Sequence, residues 1–183
     1  SNFFDGLSID QDRGMLISGT TGQPQADLPG TESRGIHLFD LIEERWVSIN
    51  KLTDPIFEEL NFQSAFRSIV YDGQYFFGSW GRGILRYDPS SSTFQKYDLE
   101  DGVVGVGGGN YSVTHDFSID SEGRLWATSY ASSRPLQFYD DEQDKWSSVD
   151  YIFPSNSSDN YRELLIDRNG NTWISMRTIS GTG

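Results

Sequence analysis

The sequence has no cysteine. Disulfides, thiolate nucleophiles and iron–sulfur clusters are therefore excluded, although the redox compartment stays open. Histidine is almost as scarce: His37 and His115 stand 78 positions apart, too few and too far in sequence for a convincing metal centre. Basic residues number 14 against 27 acidic ones, a net charge of −13. That balance argues against nucleic acid and against an anionic membrane surface as partners. No run of about 18 apolar residues occurs, so no transmembrane helix is predicted. A Gly-x-Ser-x-Gly nucleophile elbow is missing. The glycine-rich stretch "GVVGVGGGNY" (102–111) has no lysine or helix after it and so is not a phosphate cradle. "DRNGN" (167–171) lacks the closing acidic ligand of a calcium loop, and "DDEQD" (140–144) reads as a solvated turn. Two Asn-x-Ser acceptors, at Asn110 and Asn156, carry meaning only in a eukaryotic secretory protein. No cofactor and no metal is expected.

What the chain has in quantity is aromatic residues (14%) and glycine (19 of 183), a mixture suited to short strands joined by tight turns. It also repeats itself. "SRGIHLFD", "GRGILRYD" and "SRPLQFYD" end at Asp40, Asp88 and Asp140; each carries an arginine six residues before the aspartate, and an aromatic (Trp46, Phe94, Trp146) follows six after it. A second phrase runs in step: "GMLISGT" from Gly14, "GQYFFGS" from Gly73, "GRLWATS" from Gly123 and "GNTWISM" from Gly170. Matches held in phase at several positions mark structural repeats of about 50 residues.

The third unit shows four short segments rich in aromatic and β-branched residues: "HDFSID", "RLWATS", "PLQFYD" and "KWSSV". They are predicted as strands A to D of an antiparallel meander, the unit of a β-propeller blade. A β-sandwich is the alternative for any multi-stranded chain, but sandwiches do not usually repeat one aromatic phrase in phase. The expected fold is all-β: about three and a half propeller blades in an incomplete ring. Blade 1 is placed at about 3–50, blade 2 at about 64–98, blade 3 at about 113–150 and a half blade at 161–183. "PIFEELNF" (55–62) has room for one helical turn. Because propellers close with about four to eight blades, the chain is expected to be a piece of a longer array.

The quoted phrases resemble the two-component regulator propeller repeat, roughly D-x-x-G-x-L-W-I-G-T followed by G-L-x-R-Y-D and an aromatic. The resemblance covers nearly the whole chain, with Ile17 and Phe76 in place of the tryptophan and a long insertion in the first unit. It implies a β-propeller from the extracytoplasmic sensor region of hybrid two-component histidine kinases, best known in Bacteroidetes, where such domains sense breakdown products of polysaccharides. Similar propellers occur in a surface component of the type IX secretion machinery. A periplasmic or cell-surface location follows from the resemblance.

In a meander the A–B and C–D turns share one end and the B–C and D–A connections the other. The long connections, 21–34, 51–64, 99–113 and 151–161, all fall on the second end, the usual sign of a binding face on a repeat scaffold. Arg34, Arg82 and Arg134 recur there at the mouth of each strand C. They read either as a cationic rim for a carboxylate or sulfate, or as structural pairs with acids and aromatics, which repetition favours. Trp80 and Tyr130 lie beside them in B–C loops, where rings next to planar donors suit sugars and loop packing equally. Tyr111 and Tyr161 join on weaker grounds. His115 and Asp116 open the third strand A, at positions that vary between units, whereas His37 reads as a packed core histidine.

The function expected is therefore a non-catalytic ligand-sensing propeller that binds an oligosaccharide or another small ligand. The candidate ligand-binding residues are Arg34, Arg82, Arg134, Trp80, Tyr130, His115 and Asp116, with no catalytic residue. The alternative is a protein- or glycolipid-binding propeller of a surface or secretion complex. A propeller lyase or lactonase comes third, hinted at only by His115 and Asp116. Further blades or domains of the same protein are expected partners, and a homodimer is left open.

Overall fold

Fourteen β-strands in four antiparallel sheets make up almost all of the regular structure in the computed structural model, which describes residues 3–21, 35–62, 64–106, 109, 111–150 and 160–177. Among these residues, three sheets have four strands and one has two. The first sheet runs β1 (Phe3–Asp10), β2 (Met15–Thr21), β3 (Gly35–Asp40), β4 (Arg45–Asn50). The second runs β5 (Ala65–Tyr71), β6 (Gln74–Ser79), β7 (Ile84–Asp88), β8 (Thr93–Tyr97). The third runs β9 (Thr114–Ile119), β10 (Leu125–Ser129), β11 (Leu136–Asp140), β12 (Lys145–Ser148). A last pair comprises β13 (Asn160–Ile166) and β14 (Thr172–Arg177). Every sheet keeps its strands in sequence order, so each is a meander. The helical turn allowed at 55–62 forms as α1 (Ile56–Glu59).

The repeated phrases are turn chemistry. In each C–D turn the aspartate closing strand C accepts two backbone N–H groups: Asp40 from Ile42 and Glu43, Asp88 from Ser90 and Ser91, and Asp140 from Glu142 and Gln143. The residue four positions on turns left-handed, at Glu44, Ser92 and Asp144 (φ 51°, 56° and 53°). The A–B turns end on Gly14, Gly73, Gly123 and Gly170 with φ of 63° to 81°, a region glycine enters without a Cβ penalty.

By contacts the chain forms two compact units, Ser1–Trp80 with Leu85–Lys96, and Gly81–Ile84 with Tyr97–Gly183. In the first, Ile17, Ile36, Leu38, Tyr75, Phe77 and Leu85 are buried together, and α1 adds Phe57, whose ring meets Phe62 and Phe94 edge-on at 6.2 and 5.5 Å. Neighbouring sheets are joined by hydrogen bonds of side chains to backbone and to other side chains. Ser68 Oγ donates to Ile17 O at 3.2 Å, Ser8 Oγ donates to Ser68 O, and the Tyr75 hydroxyl donates to Asp10 at 2.8 Å. In the second unit, Thr128 Oγ1 donates to Arg162 O (2.9 Å), while Leu164 N donates to Asp116 (2.9 Å) and Ile166 N to Ser118 Oγ (3.1 Å). One repeat position splits: Trp146 is buried and Phe94 packs against the core, but Trp46 is 51% exposed.

Candidate functional site

The B–C and D–A connections of the second unit are tied together by backbone. Gly83 pairs with Val113 in an isolated parallel bridge, and Tyr130 N donates to Val113 O at 2.9 Å. One residue, Val113, thus fixes the segment carrying Arg82 on one side and the loop carrying Tyr130 on the other. The glycine after the arginine has its own reason. A Cβ on Gly83 (φ 75°) would lie 2.0 Å from Tyr97 O, and one on Gly35 would lie 2.1 Å from Ile49 O. Strand C begins pressed against the end of strand D, and only the third copy substitutes Pro135.

A buried polar network holds the loops from below. Gln137, fully buried, donates from Nε2 to Ser129 Oγ (2.8 Å) and accepts from Val104 N (3.1 Å). Ser129 Oγ donates in turn to Val104 O (3.4 Å). This network escaped the sequence reading. The available signal was a polar residue inside strand C: His37 and Gln137 occupy one repeat position, which is Leu85 in the second blade.

The candidate residues fare differently. Arg34 lies outside the described residues. Arg82 is exposed, and beside it Tyr111, 46% exposed, brings Cδ2 to 3.6 Å of where a Gly81 Cβ would stand. Tyr130 is half-buried. Arg134 Nη2 sits 3.4 Å from Asp150, an exposed pair of the kind that contributes little to stability. His115 is half-buried at the start of β9. Asp116 accepts the amide of Leu164 and so serves the joint to the last strand pair. Trp80, 45% exposed, belongs to the first unit. Of the weaker candidates, Tyr161 is buried and Tyr111 is on the surface. His37 is buried, with Nδ1 2.8 Å from Ser48 Oγ, and burial lowers its pKa. Among the described residues no cluster of three His, Asp or Glu could hold a metal, and no helix is long and apolar enough to cross a membrane.

No family model and no curated protein sequence matches the chain. Solved structures do. PorZ, an essential surface component of the type IX secretion system of Porphyromonas gingivalis, superposes with a TM-score of 0.68 at 20% identity, over 96% of this chain and 23% of that one. The extracellular domain of the hybrid two-component system BT4673 from B. thetaiotaomicron gives 0.66 at 14% identity, over 94% and 19%. The β-propeller domain of Cps50 (Swd1) from Myceliophteria thermophila gives 0.56 at 13% identity, over 91% and 46%. The fold is a β-propeller. The chain supplies three four-stranded sheets and one two-stranded pair among its described residues, and it spans less than a quarter of the first two solved chains. Both kinds of protein that the repeat phrase resembles stand among these propeller neighbours.

Proposed function

We propose that this propeller segment is a non-catalytic sensing module of an extracytoplasmic two-component receptor, and that it binds an oligosaccharide at the B–C and D–A end of its blades. The observation that carries the reading is the backbone tie through Val113, which seats exposed Arg82 and the Tyr130 loop on either side of one residue. Flat rings beside forked N–H donors match a sugar: C–H faces stack while hydroxyls and any carboxylate take hydrogen bonds. Arg134 supports it, because its exposed pairing with Asp150 exchanges readily for a ligand acid. Asp116 drops to a structural role in this reading, since its carboxylate is engaged by Leu164. Extracellular and surface propellers among the structural neighbours support the location.

The test is calorimetric titration with neutral, uronic-acid and sulfated oligosaccharides. Saturable binding by one class is expected, weakened about tenfold or more by Arg82→Ala or Arg134→Ala, a loss typical of a charged hydrogen bond. Absence of binding by all three classes overturns the reading. A surface-assembly role, favoured by the likeness to PorZ, would then be pursued by capturing a defined protein or glycolipid partner on the same loops.

A further inference from the structure

Gln137 is fully buried, yet the blade does not require a polar residue there: Leu85 fills the same strand position in the second blade and is just as buried. A buried amide is costly unless its hydrogen bonds are made. Here they are made, and they serve Val104. Gln137 Oε1 accepts the Val104 amide (3.1 Å), Gln137 Nε2 donates to Ser129 Oγ (2.8 Å), and Ser129 Oγ donates to Val104 O (3.4 Å). The three residues close a ring. Both backbone groups of one loop residue are held by side chains, as a neighbouring strand would hold them.

From this pinned residue the chain leads to Tyr111. Before it, a Cβ on Gly102 would lie 1.8 Å from Trp146 O, so the loop starts pressed onto β12. After it, the amide of Val106 donates to Tyr111 O at 2.9 Å. Beyond Tyr111 come Ser112 and Val113, both buried, and Val113 carries the ties to Gly83 and Tyr130. The backbone of Tyr111 is thus held on both sides, while its side chain stays on the surface. The ring lies against Gly81, with Cδ2 3.6 Å from where a Cβ would stand, one residue before the exposed Arg82. A ring already fixed by its backbone loses little further freedom when a ligand stacks on it.

We infer that Tyr111 is a further ligand contact, a stacking platform for a sugar ring beside Arg82, and that Gln137 is the positioning residue that sets its place. This rests on the sugar-binding reading and adds to it. Stacking on an aromatic face does not depend on ligand charge, so Tyr111 serves neutral and acidic sugars alike, whereas Arg82 and Arg134 favour acidic ones.

Calorimetric titration with the neutral, uronic-acid and sulfated oligosaccharides tests it, at temperatures well below melting so that a merely less stable variant is still folded. Tyr111→Ala is expected to weaken binding about fivefold, the scale of one aromatic contact, and Tyr111→Phe to stay within about twofold of the parent. Gln137→Leu places in blade 3 the residue that blade 2 carries, so folding is expected to survive and is checked by circular dichroism. Its affinity loss is expected to match that of Tyr111→Ala, and to vanish when made in the Tyr111→Ala background, because both act through one ring. Parent-like affinity in Tyr111→Ala overturns the inference and leaves the arginine-based reading standing. Losses that add in full in the double variant show that Gln137 does not act through Tyr111, and the positioning role is then wrong. A parent chain that binds none of the three classes overturns the sugar reading itself, and this inference with it.

Discussion

At the scale of single residues, the aspartates closing strand A in blades 1 and 3, Asp10 and Asp120, do the same work by different means. Asp120 accepts the amides of Glu122 and Arg124, the Arg124 guanidinium at 2.8 Å and the Trp126 indole N–H at 2.8 Å. Burial alone would raise its pKa, but these donors outweigh burial and hold the carboxyl below its usual value. Blade 1 has Ile17 where blade 3 has Trp126, so Asp10 turns to the next blade and takes the Tyr75 hydroxyl. Asp120→Ala strands several donors with a side chain only 7% exposed. A loss of about 1–3 kcal/mol is expected from urea unfolding. Asp120→Asn, which keeps an accepting oxygen, should cost less; equal losses would mean that the hydrogen bonds are not the cause.

At the scale of elements, the C–D turns invite a differential test. Glu44, Ser92 and Asp144 all adopt left-handed backbone, which costs a residue with a Cβ about 1 kcal/mol. Glu44 and Ser92 are exposed, so Glu44→Gly and Ser92→Gly are expected to stabilise by roughly 0.5 kcal/mol, after the added freedom of glycine in the unfolded chain is counted. Asp144 has a second task, accepting the hydroxyls of Tyr97 and Tyr139. Both tyrosines are buried, and Asp144→Gly should therefore destabilise, by about 1–3 kcal/mol. Melting temperatures that move in the same direction for all three would refute the distinction. Gly83 is the counterpart just ahead of a strand, β7. Its Cβ would strike Tyr97 O, so Gly83→Ala must part strands C and D and loosen the Val113 tie.

For the whole molecule, pH sets stability through two groups of sites. Asp10, Asp40, Asp88, Asp120 and Asp167 all have lowered pKa values, and in Asp167 the Asn171 side chain and the Trp173 indole bring it down to about 2. Such groups lend stability that is complete well above the ordinary value of 3.8 and is lost as pH falls toward the folded values. His37 adds an earlier loss. Burial lowers its pKa below 6.5, so beneath that pH the unfolded chain takes a proton that the folded chain refuses. Melting temperature against pH should show a shoulder setting in near pH 6.5 and a steeper fall below about 4. His37→Gln should remove the shoulder and leave the lower limb intact; a shoulder unchanged in that variant would assign it elsewhere.

Much of this fold was legible in the chain because its determinants are local. A repeated aspartate that turns the chain, a glycine at positive φ and alternating aromatic residues act within a few positions, so the meanders and their strand order could be read from phase alone. Which end carries the long loops followed from the same topology. Tertiary structure decided the rest. Gln137 reads as one more polar residue until burial makes it the anchor of two loops. Asp116 reads as a ligand group until the amide of Leu164, 48 positions on, claims it. Trp173 and Phe76 share a repeat position, yet one faces solvent and the other is sealed. Exposure depends on what lies against a surface, and a residue's own neighbours in sequence do not supply that.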